Sequence, residues 1–321
     1  MNRFNQLLIA ALVVQIIIAG GIYISNQAPA AEQMHMALLS TDSNTIDRIT
    51  IDEGDDKHTV LSKVDGIWQL PDYHQLPASR SKVDEILAKL ESTHSGWPVA
   101  TTASSRERFQ VADKNYQKKI SVGKGDDALQ TLYLGTSPGF RQLHVRRAGE
   151  DEVYVVKLNS YEFPSQHTSW LDTALLQPGG DITSLQGSDF VLNKQGDGWQ
   201  LAEGDGEAVK QEIDKLINSL ARVSVQGVAE KTLDNTDYVL TVKAAGNTLQ
   251  YRLFKDGNDH YISRNDYVQT FKINQSDYEK ITGQNVTQLV KRIDVEDQSA
   301  IAESEYTNSE AKLTTPSTEQ E

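Results

Sequence analysis

The chain has 321 residues, a formal net charge of −14 and no cysteine. The absence of cysteine excludes disulfides, thiol nucleophiles and Cys-ligated metals from any mechanism. The acidic balance argues against a general affinity for nucleic acid or anionic lipid, because the protein and the phosphates repel each other.

The first element is an apolar run over residues 7–24 that only Gln15 interrupts. A helix of this length spans about 27 Å, close to the hydrocarbon thickness of a bilayer, roughly 30 Å. Arg3 precedes the run and no Lys or Arg follows before Arg48, so the positive-inside rule keeps the N-terminus in the cytoplasm. We therefore predict a single-pass anchor over residues 1–25 in the bacterial inner membrane, with the bulk of the chain periplasmic. A cleaved signal peptide is the alternative.

The next stretch, residues 26–45, has no clear period and is predicted to be a stalk. An α+β domain is predicted to follow over residues 46–178. Alternating or short apolar runs bounded by turn residues predict strands in this domain over residues 46–51, 60–63, 67–70, 120–122, 129–134, 143–146 and 153–158.

One helix of this domain is marked by an apolar stripe. Val83, Ile86, Leu87 and Leu90 have the i, i+3, i+4, i+7 spacing of an amphipathic helix. A closing helix is predicted toward the end of residues 161–176, before a Pro-Gly-Gly break.

The pattern then repeats. Residues 197–201 (DGWQL) restate residues 65–70 (DGIWQL), and the turn residues between the copies mark a boundary. We predict a second, shorter α+β repeat domain over residues 179–293, so that a transmembrane helix precedes two duplicated domains with mostly antiparallel sheets. The apolar helix stripe of the second copy consists of Ile213, Leu216, Ile217 and Leu220.

The C-terminal residues 294–321 are rich in acids and poor in apolar side chains. Such a composition buries too little surface to offset the entropy of ordering, so an acidic disordered tail is predicted.

No complete catalytic motif occurs. Residues 135–139 read G-x-S-x-G, but Pro138 has no N–H for an oxyanion hole, and a predicted strand follows where a nucleophile elbow needs a helix. The seven histidines lack zinc-site spacing, the acids around Gly54 depart from the calcium-loop pattern, and no P-loop is present. We predict no catalytic residue, metal, cofactor or nucleotide site, and no nucleic-acid partner.

Two tryptophans occupy equivalent places in the two copies, Trp68 and Trp199. Each lies just beyond a turn glycine, where a large ring can anchor a strand against the helix stripe. Core packing is therefore predicted for both, with sugar stacking as the alternative.

A basic segment stands out from the acidic chain. Residues 104–147 hold nine Lys or Arg and four Asp or Glu. This segment is predicted to form a docking face for an acidic partner or an anionic envelope polymer, with a solvated face that is basic by chance as the alternative. The predicted face consists of Arg106, Arg108, Lys118, Lys119, Arg141, Arg146 and Arg147.

The repeated D-G-x-W-x-L element, the run Leu132-Tyr133-Leu134-Gly135 and the strand Val153-Tyr154-Val155-Val156 resemble the bacterial family catalogued as domain of unknown function 4340. The resemblance implies an N-terminally anchored envelope accessory of ABC transporters of the gliding-motility type. It carries no catalytic residues with it, because none are established for the family.

Two functions are therefore expected. The first is a non-enzymatic, membrane-anchored periplasmic accessory protein that docks on the permease of an ABC-type transport system or on related envelope proteins. The alternative is a protein that binds or hydrolyses envelope polysaccharide or peptidoglycan. A hydrolase needs convergent carboxylates or a nucleophile in a cleft, whereas a docking protein needs only a surface.

Overall fold

The computed structural model describes residues 36–54, 57–204, 206–233 and 235–291, and separately Gln15. The predicted anchor, Gln15 excepted, and the predicted acidic tail lie outside the described residues. Within the described part of the chain, no helix is both long and apolar enough to cross a membrane.

The chain divides into two compact units, the first ending at Asp172 and the second beginning at Thr173. The first unit includes residues 36–45, the second half of the predicted stalk. Leu38 and Leu39 are buried there, and Ser43–Thr45 forms a 3-10 turn. These residues belong to the folded unit because their apolar side chains are removed from water.

The first unit contains, within its described residues, ten strands and two α-helices. They are β1 (Met36–Ala37), β2 (Arg48–Asp52), β3 (His58–Val64), β4 (Ile67–Leu70), β5 (Leu76–Pro77), α1 (Arg80–Ser92), β6 (His94–Ser95), α2 (Ala103–Arg108), β7 (Lys118–Lys124), β8 (Asp127–Leu134), β9 (Leu143–Arg147) and β10 (Tyr154–Val156).

Eight of these strands form one sheet in the order β10-β9-β8-β7-β2-β3-β4-β5, and β1 pairs with β6. Every pairing is antiparallel. Strand β2 alternates between buried and half-buried residues, with Ile49 and Ile51 fully buried, as expected of a strand with one face on a core.

Helix α1 forms where its apolar stripe predicts it. Val83 and Leu90 are completely buried, and burying each side chain of this kind stabilises the fold by about 1.5–3 kcal/mol. The helix begins after Ser79, whose backbone N–H donates to the Trp170 carbonyl at 2.7 Å. The start of α1 is therefore fixed by a segment far along the chain.

The predicted closing helix within residues 161–176 is wrong. The segment forms only two 3-10 turns, Ser160–Glu162 and His167–Ser169. Apart from the bonds that close these short turns, its backbone pairs with other parts of the unit, as in the 2.9 Å bond from the Asp172 N–H to the Pro77 carbonyl. A continuous helix cannot form where these groups are already used.

The second unit contains, within its described residues, ten strands and three α-helices. They are β11 (Ile182–Gln186), β12 (Val191–Gln195), β13 (Gly198–Leu201), β14 (Glu207–Ala208), α3 (Lys210–Leu220), β15 (Val225–Val228), β16 (Tyr238–Ala244), β17 (Asn247–Asp256), β18 (Asp259–Arg264), β19 (Thr270–Ile273), α4 (Gln275–Thr282), α5 (Val286–Leu289) and β20 (Val290–Lys291).

Its large sheet has the order β13-β12-β11-β16-β17-β18-β19-β15, and β14 pairs with β20. All of these pairings are antiparallel as well. The predicted class, mostly antiparallel sheets with few helices, is confirmed in both units.

The two sheets share one strand order over seven strands. Read from its other edge, the second sheet runs β19-β18-β17-β16-β11-β12-β13, which matches β10-β9-β8-β7-β2-β3-β4 strand for strand. The eighth strand differs, because β5 extends the β4 edge of the first sheet whereas β15 extends the β19 edge of the second. An order of seven strands shared within one chain is what a duplication produces.

The repeats also begin alike. Ala37-Leu38-Leu39 precedes the first sheet and Ala174-Leu175-Leu176 precedes the second, and all four leucines are buried. The repeat therefore starts several residues before each of the two predicted domains.

A buried arginine holds each of these lead-in segments. Arg147 donates to the carbonyls of Ala37 at 2.6 Å and Leu38 at 3.4 Å. Arg264, at the equivalent register position of β18, donates to the Gln177 carbonyl at 3.2 Å. The neighbouring Tyr251 hydroxyl donates to the Leu176 carbonyl at 2.8 Å.

The tryptophans Trp68 and Trp199 are 3% and 8% exposed, so their predicted place in the core is confirmed. Each lies in the third strand of its unit's sheet, β4 and β13 respectively.

Candidate functional site

Strand β9 contains the centre of the predicted basic face. Other parts of the first unit cover both faces of this strand. Alternation along a strand sends Arg146 and Arg147 to opposite faces of the sheet. Arg146 is 3% exposed; it donates to the Val111 carbonyl at 2.6 Å and forms an ion pair with Asp113 at 2.5 Å. Arg147 is 6% exposed and pairs with Glu150 as well as with the lead-in. Neither side chain is available to a partner.

The ion pair with Arg146 favours the ionised form of Asp113. The hydrogen bond from the Arg146 guanidinium holds the pKa of Asp113 below its usual range, against a smaller opposing effect of burial. Arg146 also lies over the Tyr133 ring, 4.6 Å from its centroid. The side chain is therefore part of the packing of the first unit.

Lys118 is buried too. Its Nζ lies 2.7 Å from Glu53 and donates to the carbonyls of Ser160 and Phe163. Burial alone would raise the pKa of Glu53, but its bonds from Lys118 and Ser165 lower it overall. Lys118 fixes the segment after β10 to the sheet.

The remaining members of the predicted face are dispersed. Arg106 forms an ion pair with Asp151, and Lys119 forms one with Asp52 at 3.0 Å. Arg108 and Arg141 are exposed, and within the described residues neither forms an ion pair. The seven residues thus do not make one continuous docking surface, because three of them are buried and two are paired with acids.

A different surface of the first unit has the properties of a binding site. Phe140 and Tyr161 are each 88% exposed, the most exposed aromatic rings among the described residues. Arg141, in a left-handed conformation with φ 52°, places its guanidinium 5.1 Å from the Phe140 ring centroid. Lys157 is exposed nearby. We call Phe140, Arg141, Lys157 and Tyr161 the aromatic face.

Two clefts bring these residues together. Phe140, Arg141 and Lys157 line a cleft of about 640 Å³, and Tyr161 lines one of about 320 Å³. Lys89 and Glu162, which form an ion pair with each other, line both clefts. The neighbouring clefts therefore share one neutralised wall.

The charge of the aromatic face is positive. Within the described residues, neither Arg141 nor Lys157 forms an ion pair, so both cations are free to meet an anion. This is unusual in a chain whose net charge is −14. A cation beside an exposed aromatic ring suits an acidic segment that also carries apolar side chains.

The connection that carries Phe140 differs between the repeats. In the second unit the equivalent hairpin, β17 to β18, closes with Gly257 and Asn258 alone. In the first unit the connection between β8 and β9 takes residues 135–142. The repeat can therefore close this hairpin with two residues, and the connection of the first unit is six residues longer than closure requires.

The base of this connection is firmly held. The Thr136 N–H donates to the Phe109 carbonyl at 2.9 Å, and the Ser137 hydroxyl donates to the Gly139 carbonyl at 2.7 Å. A Cβ on Gly135 would fall far inside van der Waals contact with the same Phe109 carbonyl. The G-x-S-x-G stretch is thus a connection between antiparallel strands, and the tip that bears Phe140 is positioned before any partner arrives.

A second cluster of ionisable side chains lies at the start of β3 in the first unit. The His167 ring stacks on Tyr73 with centroids 5.5 Å apart and meets His58 edge-on at 6.4 Å. His58 Nε2 lies 3.8 Å from Asp72. Burial lowers the pKa of His167. The cluster fastens the segment after β10 to the sheet, and within the described residues no three His, Asp or Glu side chains converge to hold a metal ion.

Sequence reasoning missed Phe140, Lys157 and Tyr161. Phe140 carried a usable signal, because a large apolar residue between Gly139 and Arg141 in a turn has no reason to be there for the fold. Tyr161 and Lys157 carried none, because their exposure depends on how the segment after β10 is routed.

The architecture defines the class of protein before any comparison does: two tandem repeats, each built on an antiparallel sheet with the same order of seven strands. A family model, Domain of unknown function (DUF4340), matches residues 68–242, more than half of the chain, and the protein belongs to this family. The match runs from Trp68 in β4 to Val242 in β16, so it includes residues of both units. Searches of curated proteins and of solved structures gave no match.

Proposed function

We propose that this protein is a non-enzymatic, membrane-anchored periplasmic accessory protein, a partner of an ABC-type transport system of the gliding-motility kind. It acts by contact through the aromatic face. The observation that carries the proposal is the pair of rings, Phe140 and Tyr161, left 88% exposed beside two cations without ion pairs within the described residues. The apolar run over residues 7–24 supports a place in the bacterial inner membrane.

The energetics favour the rings as the source of affinity. Burying an aromatic side chain of this size contributes about 1.5–3 kcal/mol, whereas an exposed ion pair contributes about 1 kcal/mol or less. Phe140 and Tyr161 would therefore supply most of the binding energy. Arg141 and Lys157 would orient the partner and speed its association.

The partner fitting this surface is a periplasmic segment of the permease that is acidic and partly apolar. Carboxylates would meet Arg141 and Lys157, and apolar side chains would enter the clefts beside Phe140 and Tyr161. The firmly held base of the β8–β9 connection lowers the entropy that docking costs, because the tip needs no ordering.

The test is co-purification of the tagged full-length protein in mild detergent, with the permease identified by mass spectrometry. We expect Phe140→Ala to reduce the recovered permease about tenfold or more, as truncation of a central aromatic contact does. Arg141→Glu should also reduce the recovered permease, and the reduction should be larger at low salt than at high salt. Arg108→Glu is the matched control, an exposed arginine outside the aromatic face that should leave recovery unchanged.

Normal recovery with Phe140→Ala would show that the aromatic face is not the docking surface. If the wild type retains no transport partner, while Phe140→Ala abolishes retention on purified peptidoglycan or envelope polysaccharide, the surface binds a polymer instead. Thermal melting of each variant shows whether the fold is intact.

A further inference from the structure

The second unit has a cleft of its own, between α3 and α4, with a volume of about 330 Å³. Four of its lining residues belong to α3 or follow it directly, and the others come from α4 and the residues just beyond it. The lining residues are Lys215, Asn218, Ser219, Arg222, Asp277, Lys280 and Gln284.

This cleft and the 320 Å³ cleft of the first unit occupy equivalent places in the repeat. Helices α1 and α3 align at an offset of 130 residues, which also matches their i, i+4 ion pairs, Arg80–Asp84 and Lys210–Asp214. At this offset, Ser219 stands where Lys89 stands in the first unit, and both residues line their clefts.

The opposite walls correspond as well. Asn159 caps the 3-10 turn after β10, with Glu162 at its third position, and Asn274 caps α4, with Asp277 at its third position. Glu162 and Asp277 are therefore equivalent acids, and each lines the cleft of its unit.

The two clefts differ in whether an ion pair crosses them. In the first unit, Lys89 reaches Glu162. In the second unit Ser219 is too short to do so, and the Asp277 carboxylate instead accepts from the Ser224 N–H at 3.2 Å and from Asn274 Nδ2 at 2.9 Å. No ion pair therefore crosses the second cleft, which we call the open cleft, and local hydrogen bonds occupy its acid.

The open cleft has an excess of cations. Lys215 pairs with Glu212 at 2.8 Å, a residue of its own helix, but within the described part of the chain Arg222 and Lys280 form no ion pair. Asp277 is the single acid in the lining. Two cations thus remain for an anion, and a guanidinium with an ammonium is a common combination for a carboxylate or a phosphate.

The wall that α3 contributes adds neutral polar groups. The Asn218 side chain is exposed there, and the Ser219 hydroxyl donates to the Lys215 carbonyl at 2.8 Å, which leaves its oxygen able to accept a hydrogen bond. Both side chains can therefore accept from the hydroxyl groups of a ligand.

We propose that the cleft between α3 and α4 binds a small anion that also carries hydroxyl groups, the chemistry shared by acidic sugars and sugar phosphates. Arg222 and Lys280 hold the anionic group, and Asn218 and Ser219 accept from its hydroxyl groups. The site lies within the second unit and uses no residue of the aromatic face, so it goes beyond the proposed docking function and is tested separately from it.

The test is calorimetric titration of the full-length protein in detergent with glucuronate, glucose 6-phosphate and glucose. We expect one or both anions to bind at least tenfold more tightly than glucose, because glucose has the hydroxyls without the charge. Binding of glucuronate alone identifies a carboxylate site, binding of glucose 6-phosphate alone identifies a phosphate site, and each supports the proposal. Acetate should bind more weakly than glucuronate, because it has no hydroxyl group to donate to Asn218 or Ser219.

Arg222→Gln and Lys280→Gln should each weaken binding of the preferred anion by about tenfold, since each removes one charged contact. Lys243→Gln is the matched control, because Lys243 is an exposed cation of the same unit that does not line the cleft. Both cleft cations are exposed, so thermal melting should be unchanged. Equal binding of glucose and the anions, no binding of any of them, or unchanged affinity in both cleft variants would overturn the proposal.

Discussion

Arg147 is the residue whose sequence character and structural role differ most. As one of nine basic residues in a short stretch it predicts a docking face, but it is 6% exposed and donates to two carbonyls of the lead-in. Burying a guanidinium is expensive unless its donors are used, and here Ala37, Leu38 and Glu150 use them. The residue stabilises the fold only as long as that whole set is intact.

We expect Arg147→Ala to destabilise the first unit by about 3–5 kcal/mol, because it removes the Arg147 bond to the Ala37 carbonyl and leaves the Glu150 carboxylate without its ion-pair partner. Urea unfolding of the full-length protein, followed by tryptophan fluorescence, measures this. Lys124→Ala is the control; it removes an exposed cation of the same unit that forms no ion pair within the described residues, and it should change the free energy of unfolding by about 0.5 kcal/mol or less. Equal stabilities would show that the buried bonds contribute nothing net.

Side-chain burial of this kind is only partly visible in a sequence. Alternation along β9 predicts that Arg146 and Arg147 face opposite sides, so one of them had to enter a core if the other faced solvent. That both sides are covered depends on the Val111 segment and on the lead-in, which lie far away along the chain. Local pattern carries no information on such long-range cover.

At the scale of elements, the sequence pattern predicts the helices and hairpins that depend mainly on local contacts. The stripe from Val83 to Leu90 gives the position of α1, and the turn residues before the tryptophans give the β3–β4 and β12–β13 hairpins. The segment over residues 161–176 is mispredicted because its backbone pairs with β5 and with the start of α1. Tertiary pairing there overrides the helical pattern.

The connection between β8 and β9 offers a prediction at this scale. We expect Gly135→Ala to destabilise the first unit by about 2 kcal/mol or more, because its Cβ would meet the backbone of Phe109 and Gln110, which cannot move as a flexible side chain can. Gly139→Ala is the matched control, since a Cβ at Gly139 meets only the Gln142 side chain at 3.5 Å, an ordinary contact. The difference between the two melting temperatures measures the effect, and a similar loss in both would refute this account of Gly135.

At the scale of the whole molecule, the duplication was legible in the sequence because the D-G-x-W-x-L element and the helix stripe recur in order. The shared order of seven strands was not, because strand neighbours depend on pairing between distant segments. The open cleft of the second unit was hidden for the same reason. This cleft has a serine, Ser219, where the first unit has Lys89. That difference matters only because Glu162 and Asp277 occupy equivalent positions in the two units.

The membrane topology is the whole-molecule prediction that remains. With Arg3 as the only basic residue before the apolar run, we expect the chain after residue 25 to be periplasmic. An alkaline phosphatase fused after Arg292 should be active, and the same enzyme fused after Arg3 should be inactive. An inactive fusion at Arg292, or a mature chain that begins near Ala31 in the soluble periplasm, would contradict the anchor.

The contacts that hold the two lead-in segments also determine how the chain would respond to a pulling force. A pull on the chain ahead of Ala37 is carried at once by the β1–β6 pair, by the carbonyls that Arg147 holds and by the buried Leu38 and Leu39. These contacts must yield together, so the load stops at the entrance of the first unit. At the second unit, a pulling force along the chain would meet similar resistance from the hydrogen bonds to the carbonyls of Leu176 and Gln177. Each repeat thus has its own set of contacts that resists a pull on the segment ahead of it.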